Sequence, residues 1–432
     1  TLAQEKTVRG IITDTNKQPM PGVTVQLKGT TIGTITDVSG AYQISDVPPN
    51  SILVVSFIGM ATKEIPVGDQ TEINVTLSES TLNLDEVVVI GYGTQRRQEV
   101  TGAVGSVKED SFNKGVILSP EQLMQGKVSG VNITSRSGEP GEEQTIVIRG
   151  PGTVRSGGPL YVIDGVPIDN ASTTPSVGSA LGTAGASNPL IFLNPADIAS
   201  IDVLKDASST AIYGSRGANG VIMITTKKGS ATEQFNYSTS LSISQVASKL
   251  KVMSRDEFID YTTQLGDPSI LKDSDTDWFD QIYRTAFTQN HNISFGGGSE
   301  KSKYYASISY LDQEGVVEKS EMKRYTGKIS AEQKLVNDRI NIKFNLTASH
   351  VWNDSPPSGD GGNANGELFT NTLNANPTYP THNPDGSIYQ FPDGLNPVML
   401  LDMYTDFRKT NRVLGNVEAS VELFKGLQYK IN

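Results

Sequence analysis

From residue 230 onward the chain alternates apolar and polar side chains with the period of an extended strand. Phe235, Tyr237, Thr239, Leu241 and Ile243 share one face. Tyr304, Ala306, Ile308 and Tyr310 share another, as do Tyr325, Gly327, Ile329 and Ala331. Ile340, Ile342, Phe344, Leu346 and Ala348 give the cleanest case. Val413, Val417, Ala419, Val421 and Leu423 follow, and Leu427, Tyr429 and Ile431 begin a further strand. With the segment around His291 to Phe295, the pattern predicts about seven strands, several near or above the roughly 9–11 residues that a tilted strand needs to cross a bilayer.

The connections sharpen this reading. A long segment, Ala247 to Thr288, joins the first two strands, and a tight one at Ser299-Glu300-Lys301 joins the next. A medium loop, Asp312 to Lys323, is followed by a turn at Asn337-Asp338, a long stretch from Trp352 to Asn411, and a turn at Lys425-Gly426. Longer and shorter connections alternate. A membrane barrel sorts its loops in this way, with short turns at one rim and long loops at the other. A soluble sandwich has no reason to. About seven strands cannot close a wide barrel, and an open edge in lipid leaves backbone groups unsatisfied at several kcal/mol each. The expectation is therefore the N-terminal part of a longer protein, or a barrel completed by another chain.

Composition narrows the function. Lys and Arg number 36 against 47 Asp and Glu, a formal charge of −11. That balance, with no basic run, argues against a nucleic-acid partner. Three His and no Cys exclude zinc fingers, thiol catalysis and disulfide staples, and suit a bacterial exported protein. The most apolar window, Ile52 to Ala61, is about half the length of a membrane-spanning helix. The start, Thr1-Leu2-Ala3-Gln4, reads as what remains after a signal peptide is removed. No residues carry a catalytic, cofactor or metal constellation. Asp273, Asp275 and Asp277 imitate an EF-hand opening, but Trp278 follows where Gly is needed and Arg284 sits where the bidentate Glu belongs. A solvated acidic loop is the plainer reading.

Upstream, residues 7–79 alternate short strands with turn signals such as Pro19, Pro21, Ser39-Gly40 and Pro48-Pro49-Asn50, which predicts a small β-sandwich. Asp37-Val38-Ser39-Gly40 reads as a hairpin turn. Within the linker 80–95 lies Asp85-Glu86-Val87-Val88-Val89-Ile90, closed by Gly91-Tyr92-Gly93. Two readings stand: a buried strand of the next domain, or a detachable strand offered to a partner's sheet edge. Residues 96–229 mix strands and short helices. Ser119 and Pro120 mark a helix start, Asp206 caps a short helix through Tyr213, and Gly214-Ser215-Arg216-Gly217 breaks it. These glycines do not form a phosphate loop, because no Gly-x-x-x-x-Gly-Lys-Ser/Thr is present.

The order of parts resembles the SusC-like TonB-dependent outer-membrane transporters of Bacteroidetes. Val8-Arg9-Gly10, Pro21-Gly22-Val23-Thr24-Val25 and Gly40-Ala41-Tyr42-Gln43-Ile44 resemble the carboxypeptidase-regulatory-like sandwich of that family. Leu84 to Thr94 resembles its TonB box. Arg149, Pro159 to Pro167 with Asp164-Gly165, and Ile201 to Ala207 through Tyr213 to Val221 resemble its plug signature, with Asp202, Lys205, Asp206, Tyr213, Gly214, Arg216 and Gly217 as structural or gating residues. The resemblance implies a mainly β protein: residual tail 1–6, sandwich 7–79, linker with TonB box 80–95, α+β plug 96–229, and the first strands of an antiparallel transmembrane barrel, 230–432. A complete member has a plugged barrel of about 22 strands. With no separate signalling domain before Val8, the resemblance favours a transporter over one that also senses.

It further implies TonB-dependent import of a large nutrient, an oligosaccharide or alternatively an oligopeptide, across the bacterial outer membrane. The partners implied are TonB with its inner-membrane energising complex, a SusD-like surface lipoprotein and the lipid bilayer, and the sandwich and box would lie in the periplasm. No cofactor is implied. A non-transporting β-rich surface-binding protein is the rival. Tyr304, Tyr305, Tyr310 and Tyr325 are expected as an interfacial girdle or as substrate platforms. The loop carrying Trp352, Tyr379, Tyr389 and Phe391 is a candidate for touching substrate or the lipoprotein.

Overall fold

The computed structural model describes the chain apart from residues 1–5, 16, 29, 31, 49–50, 58–59, 61–62, 69, 79–86, 91–92, 97–103, 136–137, 151–157, 169–186, 358–366 and 425–426. Two compact units divide at residue 100.

In the first unit, alternation closes a two-sheet sandwich. Lys6–Thr13 lies between Ala41–Val47, antiparallel, and Val75–Thr76, parallel. The second sheet runs Gly33–Ile35, Thr24–Leu27, Ile52–Ser56, Lys63–Pro66. Their inward residues, among them Val8, Ile12, Val25, Leu53 and Val55, are fully buried. Asp37 accepts hydrogen bonds from the Ser39 hydroxyl and from the backbones of Ser39 and Ala41, which makes the expected hairpin turn. Those bonds, the Ser39 hydroxyl first, hold its carboxyl below the usual range.

The second unit opens with a five-stranded mixed sheet. Its order is Val104–Lys108, Ile198–Leu204, Val221–Thr226, Leu160–Ile163, Val166–Ile168. Leu160–Ile163 and Val221–Thr226 are parallel and the other pairs antiparallel. A hairpin of Val131–Thr134 and Thr145–Ile148 packs on the same core with Met124, Phe192 and Leu193. The expected helices shrink to single turns: Pro120–Leu123 is 3-10, and Ala207–Thr210 passes into 3-10 turns over Ala211–Gly217. Gly214 (φ +58°, ψ −143°) has non-helical backbone and breaks this run in two, as expected.

A seven-stranded antiparallel meander follows: Gln234–Ser244, Ala286–Gly298, Ser302–Glu314, Glu321–Leu335, Ile340–Ser355, Asp406–Phe424 and Leu427–Ile431, each paired with the next. Its two faces differ sharply. Phe235, Leu241, Ile293, Ile308, Ile329 and Val413 are exposed on one. Asn292, Ser294, Ser307, Ser309, Thr326, Lys328 and Thr347 are buried on the other, under the plug. Apolar outside and polar inside inverts the soluble pattern and is that of a membrane barrel wall. Among the described residues no helix is long and apolar enough to cross a membrane.

Where plug becomes wall, Gly229 lies so near the neighbouring strand that a Cβ would sit 2.2 Å from the Tyr304 carbonyl oxygen. Only glycine allows that crossing. At the opposite rim, the long connections hold helices Arg255–Leu265, Trp278–Ile282, Leu368–Asn374 and Pro397–Met403. The last three share a core of Phe279, Ile282, Leu368, Leu400 and Leu401.

Candidate functional site: coupling strand, plug and wall

Val87–Ile90 is a strand, paired antiparallel with Gly93–Arg96 in the register Val87↔Arg96, Val88↔Gln95, Val89↔Thr94, Ile90↔Gly93. Among the described residues this ribbon has no third strand, and a free backbone edge is the geometry that strand addition requires. Asp85 and Glu86 lie outside the described residues.

The plug-signature residues fall in three places. Asp164 and Gly165, both at positive φ (48° and 87°), form the two-residue turn between Leu160–Ile163 and Val166–Ile168. The Asp164 carboxylate accepts from the Thr226 backbone at 2.9 Å and hydroxyl at 2.6 Å, locking the turn to the adjacent strand. Arg149, itself at positive φ, forms an ion pair with Asp206 across the plug, and Lys205 donates to the Ser129 carbonyl at 3.1 Å. Asp206 thus stands at the helix N-terminus with its side chain turned to Arg149 rather than capping. Tyr213 and Asp202 are buried, and Arg216 is exposed. Gly217 is held against Thr210, whose carbonyl a Cβ would meet at 3.0 Å. Among the described residues these positions fall in turns, strands and short helices of the plug.

Sequence reasoning missed the contact between plug and wall. Asn194 donates to Asn292 at 2.8 Å, and the Tyr305 hydroxyl donates to Asp197 at 2.8 Å. Arg408 donates to the Ser187 hydroxyl at 3.2 Å. Other bonds go to plug carbonyls: Arg324 to Ile191 (3.0 Å), Thr326 to Phe192 (3.3 Å), Lys328 to Lys227 (2.8 Å), Asn353 to Pro140 (3.1 Å), Arg412 to Pro189 (2.7 Å) and Asn416 to Asp164 (2.9 Å). Tyr305 therefore does not belong to a girdle. Tyr304 and Tyr305 are consecutive in one strand, so they point to opposite faces, and only Tyr304, with Tyr310 and Tyr325, lies on the outer one. The signal available in the sequence was the row of polar inward residues, which reads equally well as facing water. Within the plug, Glu121 is almost wholly buried. Burial pushes its carboxyl up, a neighbouring Glu143 adds to that, and bonds from Asn188 and Ser119 oppose it.

In the loop layer, Trp278 donates to the Asn376 carbonyl at 2.9 Å and packs edge-on against Phe391. Phe391 in turn meets Tyr379 and Tyr389, so the loop aromatics build a core and are not presented as a flat platform. Asp277 caps helix Trp278–Ile282 and pairs with Lys249, which also binds Asp280. A cavity of about 880 Å³ opens between Leu250, Met253, Phe258, Tyr261 and Leu373.

A sheet plug bonded to the polar face of an apolar-surfaced strand wall, with a separate β-branched strand upstream, is the construction of a TonB-dependent receptor. Residues 8–89 match the CarboxypepD_reg-like domain family and residues 96–221 the TonB-dependent Receptor Plug Domain. The chain is 39% identical to the TonB-dependent receptor SusC of Bacteroides thetaiotaomicron, over 96% of its length and 43% of that protein. To TonB-dependent receptor P3 of Formosa agariphila it is 37% identical over 99% of the chain and 42% of the relative. Among solved structures, the RagAB peptide importer in its open-open state superposes with a TM-score of 0.65 at 25% identity, covering 80% of this chain and 41% of that one. The chain belongs to the SusC-like TonB-dependent receptors. It spans about two fifths of the length of the curated relatives it matches.

Proposed function

We propose that this chain serves TonB-dependent active import of a large nutrient, an oligosaccharide, across the bacterial outer membrane, together with a SusD-like surface lipoprotein. The observation that carries this reading is the pairing of a plug bonded to the polar face of the strand wall with a β-branched strand placed before it. The outer membrane offers no nucleotide or ion gradient, so work must arrive mechanically. In this reading Asp85 to Ile90 is the TonB box, lying with the sandwich in the periplasm. TonB adds a strand to it and pulls, and the plug yields locally, as low-stability substructures do. The exposed face of Phe235, Ile308 and Ile329 meets lipid, and the loop layer faces the medium. The domain limits 7–79, 80–95, 96–229 and 230–432 are part of this proposal.

A second substrate reading is an oligopeptide. It is favoured by the likeness to the RagAB peptide importer, and the loop cavity sets apolar Leu250, Phe258 and Leu373 beside charged Lys251, Arg255 and Asp275, a mixed lining that suits a peptide's side chains.

The test is Val88→Pro, which removes one backbone donor from the box. Growth on the nutrient that depends on this transporter should be lost, with barrel assembly and surface binding of that nutrient unchanged. Normal growth of the variant would defeat the coupling assignment.

A further inference from the structure

The plug's bonds to the wall are unevenly distributed. The run from Ser187 to Asp197 is met by Arg408, Arg412, Arg324, Thr326, Asn292 and Tyr305, in that order along its length. These six residues come from four of the wall strands. Leu190, Phe192 and Leu193 anchor the same run in the plug core. At its centre Arg324 is 1% exposed and reaches back to a second plug segment, the Leu118 carbonyl, at 3.4 Å. The carboxylates of Asp197 and Glu121 are close enough to act on its charge. Withdrawing this run would take the Ile191 acceptor and the Asp197 carboxylate away from a sealed guanidinium, leaving it only the long Leu118 contact and Glu121, which is costly for a buried charge.

The first plug strand is held quite differently. Val104–Lys108 is at the edge of the sheet, with its backbone paired to residues 200–204, and Val107 alone of its five residues is buried. It is also the first described segment after the box ribbon. The exposed Glu109–Lys227 pair behind it adds little.

We infer that Arg324 is a positioning residue that pins the run Ser187–Asp197 as the stationary half of the plug, so that a pull on the box strips residues 104–117 and halts at Leu118. This rests on the reading that the box is pulled.

Single-molecule force spectroscopy on the whole protein in a lipid nanodisc tests it, with the handle at Val87→Cys, since the chain has no other cysteine. The residues from 87 to 117 extend to roughly 100 Å. The unaltered wall should give a first step of that length, ending on a second, stronger barrier. Arg324→Met should keep the first step and lower the second barrier, so that extension runs on past residue 118. Arg324→Lys, which keeps a donor for the Ile191 carbonyl, should restore part of it, and Thr326→Val should weaken it slightly. One continuous extension through residues 118–197 in the unaltered wall would overturn the inference, as would a second barrier indifferent to Arg324→Met. The force comes from the instrument, so failure of the Val88→Pro test would sink the coupling reading while leaving this measurement intact.

Discussion

Tyr304 and Tyr305 show how much one residue's parity decides. The Tyr305 hydroxyl is buried and donates to Asp197, whereas Tyr304 lies on the outer face and donates to Glu233. Tyr305→Phe leaves a buried carboxylate short of a donor, and should cost about 1–3 kcal/mol in thermal or denaturant unfolding of the plug–wall unit. Tyr304→Phe should stay within about 0.5 kcal/mol. Equal losses would mean that the Asp197 bond contributes nothing. In the sandwich, Tyr42 is 4% exposed and donates to the Ile73 carbonyl, and burial pushes its hydroxyl up to about 12. The folded value lies above the unfolded one. The stabilisation is therefore fully present below about pH 10 and is lost as pH rises through about 12. Relative to Tyr42→Phe, the native domain should lose about 1.4 kcal/mol per pH unit across that window. Parallel stability–pH curves for the two would refute it.

At the scale of elements, the wall's outer face makes its own demand. Ile308 is 72% exposed in the middle of its strand. Ile308→Lys should destabilise the folded barrel by about 2–4 kcal/mol if that face meets the bilayer midplane. Heat-modifiable mobility on gels reads this directly, and an unchanged unfolding temperature would place the face in water. Strand existence and order were legible beforehand because alternation and loop length are written in the sequence itself. The Asp164-Gly165 turn obeys a local rule as well, since two consecutive positive φ angles favour those residue types. The plug helices were overestimated: Pro120 signals a start and Gly214 a break, but neither signals how short the helical turn beside it is. What stayed hidden was the docking of plug on wall. Thr326 or Asn353 on the inner face looks the same in sequence whether its partner is water or a carbonyl 134 or 213 residues away.

At the scale of the whole molecule, the two units divide the work by construction. The sandwich closes its own core, and the plug core and the wall share a second set of bonds. The wall's arginines, lysine, threonine and asparagines reach mostly for carbonyl oxygens, which every residue type supplies alike. Mutational drift in the plug is thereby largely uncoupled from its seat: apart from Ser187, Asn194 and Asp197, side chains there can be rewritten while the wall continues to recognise the backbone trace.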